Sequence, residues 1–320
     1  MKLNILYSFL NTDLQIIEKE LEATIHAESP VLRQASLHLL QSGGKRIRPV
    51  FVLLAAKFGQ YDIHVVKNAA IALELIHMAS LVHDDVIDDS DLRRGAPTIK
   101  SKWDNRVAMY TGDYIFARSL EVMSEIKNPL AHQLLAHAII EVCKGEIEQI
   151  KDKYDFGQNL RTYLKRIRRK TALLIASSCQ LGAIAAGVEE HVHKQLFRFG
   201  YYVGMTYQIT DDILDFTGTE KELGKPAGGD LRQGNITLPV LIAMEDPRIM
   251  ALVGSVHENI SKDELTDIID TINASGAIEK ASEMGDAYLK KAFAILETLP
   301  PNRAKNTFSE IAKFIGKRKF

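Results

Sequence analysis

The residues with the most chemistry to offer in this chain are aspartates. Five fall within eight positions, Asp84, Asp85, Asp88, Asp89 and Asp91, in the stretch ELIHMASLVHDDVIDDSDLRRGAPT that runs from Glu74 to Thr98. A second group stands in YQITDDILDF, where Asp211, Asp212 and Asp215 follow Gln208. Residues four apart on a helix share a face, so Asp84 pairs with Asp88 and Asp211 with Asp215. Like charges at that spacing destabilise a bare helix. A hard cation removes the repulsion. Magnesium in particular takes a few carboxylates, several waters and phosphate oxygens. One such group alone reads equally well as a solvated acidic helix end. Two, each embedded in apolar sequence, point to metal ions that hold a diphosphate.

The cations suit the same ligand. Gly43-Gly44-Lys45-Arg46-Ile47-Arg48-Pro49 sets three positive charges on a turn at a helix start, where free backbone N–H groups already favour anions. Arg93 and Arg94 can each fork onto phosphate oxygens. Lys170-Thr171 and Lys225-Pro226 add two more. Taken singly, each reads as ordinary surface charge, and the run Arg161–Lys170 is a solvated face. No Ser/His/Asp or Cys/His arrangement calls for a nucleophile. Breaking an allylic C–O bond needs none, because metals and guanidiniums stabilise the departing diphosphate. A rival reading starts from Glu74-x-x-His77 and Glu190-x-x-His193, the pairing of di-iron carboxylate bundles. It lacks a clear second glutamate pair, although Glu141 and Glu146 are candidates, and it leaves the lysines and arginines without a task.

The elements that must position these residues read as helices. Apolar spacing is helical almost throughout, and no stretch alternates with period two. Helices are predicted at Leu6–Ala27, Val31–Gln41, Val50–Gly59, His64–Asp91, Val107–Ile126, Leu130–Asp152, Asn159–Ala186 and Glu189–Phe216. A Gly/Pro-rich loop follows from Thr217 to Pro239, then helices at Val240–Glu245, Lys262–Asn273, Ala277–Leu299 and Arg303–Gly316. The expectation is one all-α domain over residues 1–320, without repeats or linkers. The chain is 46% hydrophobic and 25% charged with net charge -1. That gives no electrostatic case for nucleic acid or an anionic membrane. Cys143 and Cys179 lack metal or redox spacing and are expected to be reduced core thiols of a cytoplasmic protein. No targeting segment shows. Thr171–Val188, the longest weakly polar run, is expected to be a buried helix whose small residues allow close packing, not an integral membrane segment.

Together these residues resemble the trans-isoprenyl diphosphate synthases, the head-to-tail polyprenyl synthases. GGKRIRP, the long aspartate stretch, GDYIFA, GEIEQ, KTALL, YQITDDILDF and GKPAGGDLRQGNITLP occur in that family's order, roughly from Gln41 to Pro239. Within the family the chain is most similar to catalytic larger subunits of two-component heptaprenyl synthases. The resemblance implies the isoprenoid synthase fold, a helical bundle around a deep central cavity. It implies three magnesium ions bridging Asp84, Asp88 and Asp211 to an allylic diphosphate, with Asp85, Asp212 and Asp215 in the metal shell, mostly through water. Lys45, Arg48, His77 and Arg94 would hold isopentenyl diphosphate. Arg93, Lys170, Thr171, Gln208 and Lys225 would hold the allylic diphosphate. The implied catalytic set is Asp84, Asp85, Asp88, Asp211, Asp212 and Lys170. Asn235 departs from the pattern, since many relatives carry lysine there.

Product length is expected to be set along the Glu74–Asp91 helix, whose pitch of about 5.4 Å approximates one isoprene unit per turn. Short-product relatives place bulky aromatics four or five residues before the first aspartate. Here Ser80 and Ala79 leave that turn open, with Ile76 and Leu73 as floors further down. The expected product is longer than three or four units, a heptaprenyl chain by the resemblance, and serves the menaquinone side chain. The expected partner is a small regulatory subunit in a heterodimer, with a homodimer as the other arrangement. The alternatives are a non-catalytic or partner-dependent subunit, and a terpene cyclase, which would not need GGKRIRP or a second diphosphate site.

Overall fold

The structure, a computed structural model, describes residues 3–218 and 227–317. Lys225 therefore lies outside the described residues. The all-α expectation holds: the only strands among the described residues are two of two residues each. The principal helices are α1 (Asn11–Thr24), α2 (Pro30–Gln41), α3 (Ile47–Ala56), α4 (Ile63–Ile87), α5 (Asn105–Ser124), α6 (Pro129–Lys151), α7 (Leu160–Ile167), α8 (Leu173–Ala185) and α9 (Glu190–Thr217). They continue with α10 (Leu238–Ala243), α11 (Lys262–Ala274), α12 (Ala277–Thr298) and α13 (Arg303–Gly316).

The chain packs as two compact units. The first comprises the described residues of Met1–Ile139, with Ser177–Phe197 and Leu299–Phe308. Its centre is α4, whose Ala69 to Ile76 are all buried, and α3, buried from Pro49 to Ala56. Asp62 starts α4 by accepting the His64 N–H at 2.9 Å, the usual work of an N-cap. Phe51 and Phe58 pack on Phe308. Gly182 justifies the small residues of α8, because a Cβ there would stand 2.2 Å from the Val52 carbonyl oxygen. The second unit comprises Ile140–Ala176, Arg198–Thr298 and the described part of Ser309–Phe320. Its core joins Tyr163, Ile167, Ala172, Met205, Ile209, Leu238 and Ala281.

Several boundaries differ from the sequence expectation for physical reasons. α4 stops at Ile87, not Asp91. The carboxyl end of a helix carries partial negative charge, so each further aspartate on it would add repulsion. The chain leaves the helix at Asp88, and Asp89 takes a left-handed φ of 51°. It then forms a hairpin, β1 (Leu92–Arg93) with β2 (Ala96–Pro97), that was not expected. Arg94 and Gly95, at φ 55° and 78°, have the two positive values of a type I′ turn. The expected Asn159–Ala186 helix is interrupted by a π-helical turn over Arg168–Ala172. The N-terminal helix begins at Asn11, after a 3-10 turn at Ser8–Leu10. The expected Thr217–Pro239 loop contains a helical turn, Gly229–Arg232, and Pro247–Val253 is an unexpected helix capped by Asp246.

Cys179 is buried, and burial raises its thiol pKa. Cys143 is exposed and is not a core thiol. Among the described residues, the helix long and apolar enough to cross a membrane by length and composition is α4, not the Thr171–Val188 run, and 67% of its apolar window is buried within the protein.

Candidate functional site

The first carboxylate group is sorted by cations of the chain itself. Asp84 and Asp85 are buried at 8% and 3% exposure in the last turn of α4. The Arg93 guanidinium reaches back along the hairpin to Asp85, with Nη2 and Nε both 2.7 Å from Oδ1. Burial raises the Asp85 pKa against the lowering effect of Arg93. Lys100 ion-pairs with Asp89 and stands 3.7 Å from Asp91. Asp89 and Asp91 are thus surface partners of a lysine, not helical neighbours of Asp85. His83, next to Asp84, lies across Gly112 of α5 and brings Nε2 within 3.2 Å of Asp113. A Cβ at Gly112 would stand 2.4 Å from that ring nitrogen, which is why GDYIFA opens on glycine.

The predicted isopentenyl diphosphate residues gather two helical turns earlier. Arg46 takes a left-handed φ of 46° at the start of α3. Its guanidinium pairs with Glu18, with Glu74 at 3.1 Å and with the Leu40 carbonyl at 3.2 Å. Arg94 swings the other way from Arg93. A Cβ at Gly44 would stand 2.7 Å from Arg94 Nη1 and 3.2 Å from Arg46 Nη1. His77 sits among them. Burial and then the positive charges of Arg48, Arg94, Arg93 and Arg46 hold its pKa well below the ordinary value, so the imidazole is neutral. Lys45 lies in the same turn, where its carbonyl accepts the Tyr7 hydroxyl at 3.2 Å. The hairpin thus divides its two arginines, one to the aspartates and one to the cationic turn.

The second carboxylate group is arranged differently. Asp212 is 3% exposed. The Tyr163 hydroxyl donates to its Oδ2 at 2.7 Å and the Gln208 amide to its Oδ1 at 2.8 Å. Burial first, then Asp230, push its pKa up to about 8 against those two donors. The Thr171 hydroxyl donates to Gln208 Oε1 at 2.6 Å, so Thr171 and Gln208 are engaged with one another. Lys170 extends to Glu146 at 3.2 Å and Gln149 at 3.1 Å, both in the GEIEQ motif. The π turn carries half-buried Lys170 and buried Thr171 side by side, and Gly204 allows it close to α9, since a Cβ there would meet Ala172 Cα at 2.6 Å. Asp215 is buried and accepts the Asp230 N–H at 3.1 Å, tying down the turn at Gly229–Arg232. Asp211 is exposed. The buried Asn235 amide oxygen has no hydrogen-bond partner among the described residues.

The donor set fits magnesium. Asp84, Asp88 and Asp211 offer hard carboxylate oxygens, each at the carboxyl end of a helix where negative charge accumulates. Among the described residues no three His, Cys, Asp or Glu side chains form a group that could hold an ion unaided. Phosphate oxygens and water would have to complete each shell, as magnesium prefers. The di-iron arrangement fails on the same atoms. Glu74 is paired with Arg46, exposed Glu190 with Lys194, Glu141 with Arg169 and Lys144, and Glu146 with Lys170. His193 faces Gln180 at 3.2 Å.

The match to known proteins agrees. The family model described as polyprenyl synthetase matches residues 29–272. The chain belongs to that family. It is 61% identical over 320 residues to heptaprenyl diphosphate synthase component 2 of Bacillus subtilis (strain 168), covering 100% of this chain and 92% of the relative. Among solved structures, heptaprenyl diphosphate synthase of Staphylococcus aureus superposes with a TM-score of 0.93 at 43% identity, over 97% of this chain and 98% of that one. A polyprenyl synthase of Caulobacter crescentus CB15, complexed with calcium and isoprenyl diphosphate, gives 0.94 at 31% identity, over 99% and 98%. The all-α architecture is thus that of the isoprenoid synthases.

The fold gives weight to two residues without a role of their own in the sequence analysis, Arg46 and Tyr163. Arg46, one of the three positive charges of GGKRIRP, joins α1, α3 and α4 through Glu18 and Glu74. Its signal was the pair of glutamates, which only the fold brings to it. Tyr163 had no signal, being one tyrosine in a basic run. The four positions named for product length lie on α4: Leu73, Ile76 and Ala79 are buried, and half-buried Ser80 donates its hydroxyl to the His77 carbonyl at 2.9 Å.

Proposed function

We propose that the chain is the catalytic subunit of a magnesium-dependent head-to-tail prenyltransferase. It elongates an allylic diphosphate, farnesyl diphosphate, with isopentenyl units to heptaprenyl diphosphate for the menaquinone side chain. The observation that carries this is the meeting of Arg46 and Arg94 at Gly44, with Arg46 held by Glu74 on the same helix as the buried Asp84 and Asp85 carboxylates. So much positive charge beside a carboxylate cluster calls for a large anion together with cations, which a metal-bound diphosphate provides.

Lys45, Arg48, His77 and Arg94 bind the isopentenyl diphosphate. His77, being neutral, donates a hydrogen bond without adding charge. Arg93, Lys170 and Lys225 bind the allylic diphosphate, with Thr171 and Gln208 at its side. Asp84, Asp88 and Asp211 hold the ions, three with substrate bound, while Asp85, Asp212 and Asp215 support them. Magnesium, when bound, supplies Lewis acidity to the leaving diphosphate. The arginines and lysine hold that charge as the C–O bond breaks, and the isopentenyl double bond attacks the allylic carbon. The departed diphosphate then takes the proton released from the isopentenyl unit, and no side chain acts as nucleophile. Leu73, Ile76, Ala79 and Ser80 line the tail and set its length. One family match running from residue 29 to 272 supports a single catalytic domain.

The partner is a smaller subunit, with a second copy of this chain as the other occupant. Support comes from the words "component 2" in the relative's name. It also comes from α6, where Ile140, Cys143, Ile147 and Ile150 are exposed at the 3-4-3 spacing of a helix-pairing seam. The proposed setting is the cytoplasm.

The test is incubation of the purified chain with radiolabelled isopentenyl diphosphate, farnesyl diphosphate and magnesium, alone and with candidate small subunits from the same cell. Chromatography of the product is expected to give a seven-unit chain in the pairing that works. No incorporation under any pairing overturns the reading.

A further inference from the structure

Tyr163 spends a hydroxyl in a place where phenylalanine would fill the core equally well. The residue is fully buried, at 0% exposure, among Ile167, Ala172, Met205 and Ile209. The Arg166 guanidinium stands 5.7 Å from its ring and binds the Ile236 carbonyl, which fixes the ring from one side. A buried hydroxyl is costly unless bonded. This one donates to Asp212 Oδ2 at 2.7 Å. Asp212 receives Gln208 on its other oxygen at 2.8 Å, and Gln208 receives Thr171 at 2.6 Å. The four side chains form one line of hydrogen bonds from α7 through α9 to the π turn that carries Lys170 and Thr171.

Each direction in the line follows from the hydroxyl at its end. With Tyr163 on Oδ2 and Gln208 on Oδ1, Asp212 cannot rotate toward the face of its neighbour Asp211. Because the Gln208 amide N–H is spent on Asp212, its carbonyl is presented to Thr171. Thr171, next to Lys170 on the π turn, then donates to that carbonyl. Without the tyrosine hydroxyl, one carboxylate oxygen of a buried aspartate loses its donor, and the whole line is free to reorganise.

Resting on the function proposed above, we propose that Tyr163 is a positioning residue of the allylic half-site: its hydroxyl, acting through Asp212 and Gln208, sets the Asp211 carboxylate and the Lys170–Thr171 turn for a metal-bound diphosphate.

The test is Tyr163→Phe in the full chain with its partner subunit. Calorimetric titration with magnesium and inorganic diphosphate is expected to show binding weakened about 10-fold, the scale of one lost buried hydrogen bond. The KM for the allylic diphosphate is expected to rise by a similar factor, with that for isopentenyl diphosphate within twofold of wild type. Unchanged diphosphate affinity overturns the proposal, and so does a loss of kcat with both KM values unmoved. Asp212→Asn supplies the second variant. If Tyr163 acts through Asp212, adding Tyr163→Phe to Asp212→Asn costs less than about twofold more, whereas full additivity overturns the proposal. Failure of the function itself is distinguishable, because wild type would then incorporate no isopentenyl diphosphate while the calorimetric comparison still decides Tyr163.

Discussion

At the carboxyl end of α4, Asp85 lies against the Arg93 guanidinium at 2.7 Å. At the carboxyl end of α9, Asp212 takes the hydroxyl of Tyr163 and the amide of Gln208 at 2.7 and 2.8 Å. The two stretches spell the same pattern, two adjacent aspartates and a third three residues on. Each second aspartate is turned inward and buried, but one is met by a cation and the other by neutral donors. A guanidinium offsets the carboxylate charge, whereas neutral donors satisfy the lone pairs without supplying a countercharge, and burial pushes the Asp212 pKa up to about 8. The third residues differ as well. Asp88 ends its helix, while Asp215 is buried within α9 and anchors the Gly229–Arg232 turn. Repeating a motif therefore does not repeat its environment: the α4 end is held by charge from a hairpin, and the α9 end by a hydrogen-bonded core.

That contrast can be broken or sharpened by paired variants. Arg93→Gln removes a cation that touches both an aspartate and, in the proposed reading, substrate. Its condensation rate should fall on the order of 10²-fold, as for loss of one transition-state donor, against about 10-fold for Tyr163→Phe. Steady-state rates under saturating isopentenyl diphosphate measure both, and equal losses would erase the distinction drawn between the two ends.

Stability should follow the same order more gently. Arg93→Gln leaves a buried carboxylate without its cation and should cost about 1.5–3 kcal/mol, discounted toward the lower end because Arg93 is partly exposed. Tyr163→Phe should cost about 0.5–1.5 kcal/mol. Urea denaturation of each variant supplies the comparison, and a reversed order would contradict it.

The smallest effect concerns His77 beside the α4 group. Its folded pKa is depressed by burial and by the surrounding arginines, while the unfolded chain has the ordinary value of 6.5. Below that value the unfolded state binds a proton that the folded state refuses, so His77 lowers stability as pH falls from 6.5 toward its folded pKa. NMR of the imidazole is expected to show a ring that titrates well below 6.5. A ring that titrates near 6.5 would mean the arginines do not converge on it.

Much of this was legible in the sequence, for a reason visible in α4 and α9. Their apolar residues recur at helical spacing over many turns, so the helices and the shared faces of Asp84 with Asp88 and Asp211 with Asp215 follow from periodicity alone. What escaped depends on contacts between distant residues. The end of α4 at Ile87 rests on electrostatics and on a hairpin turn of Arg94-Gly95, which reads simply as a helix stop. The π turn at Arg168–Ala172 carries the same apolar spacing as its flanks. That Arg93 faces Asp85 and Arg94 faces Gly44 cannot be seen in two adjacent letters. Exposed Cys143 was misplaced because free cysteine is usually buried, and the apolar seam it shares with Ile140, Ile147 and Ile150 mimics a core face.

The central claim is that both aspartate groups serve one condensation, however differently each is held. Asp84→Ala and Asp211→Ala, each confirmed folded by circular dichroism and paired with the partner subunit, should be assayed for isopentenyl incorporation beside wild type. Each is expected to lose on the order of 10²–10³-fold or more in rate, in line with removal of a principal electrostatic stabiliser. A wild-type rate from either variant would contradict the account.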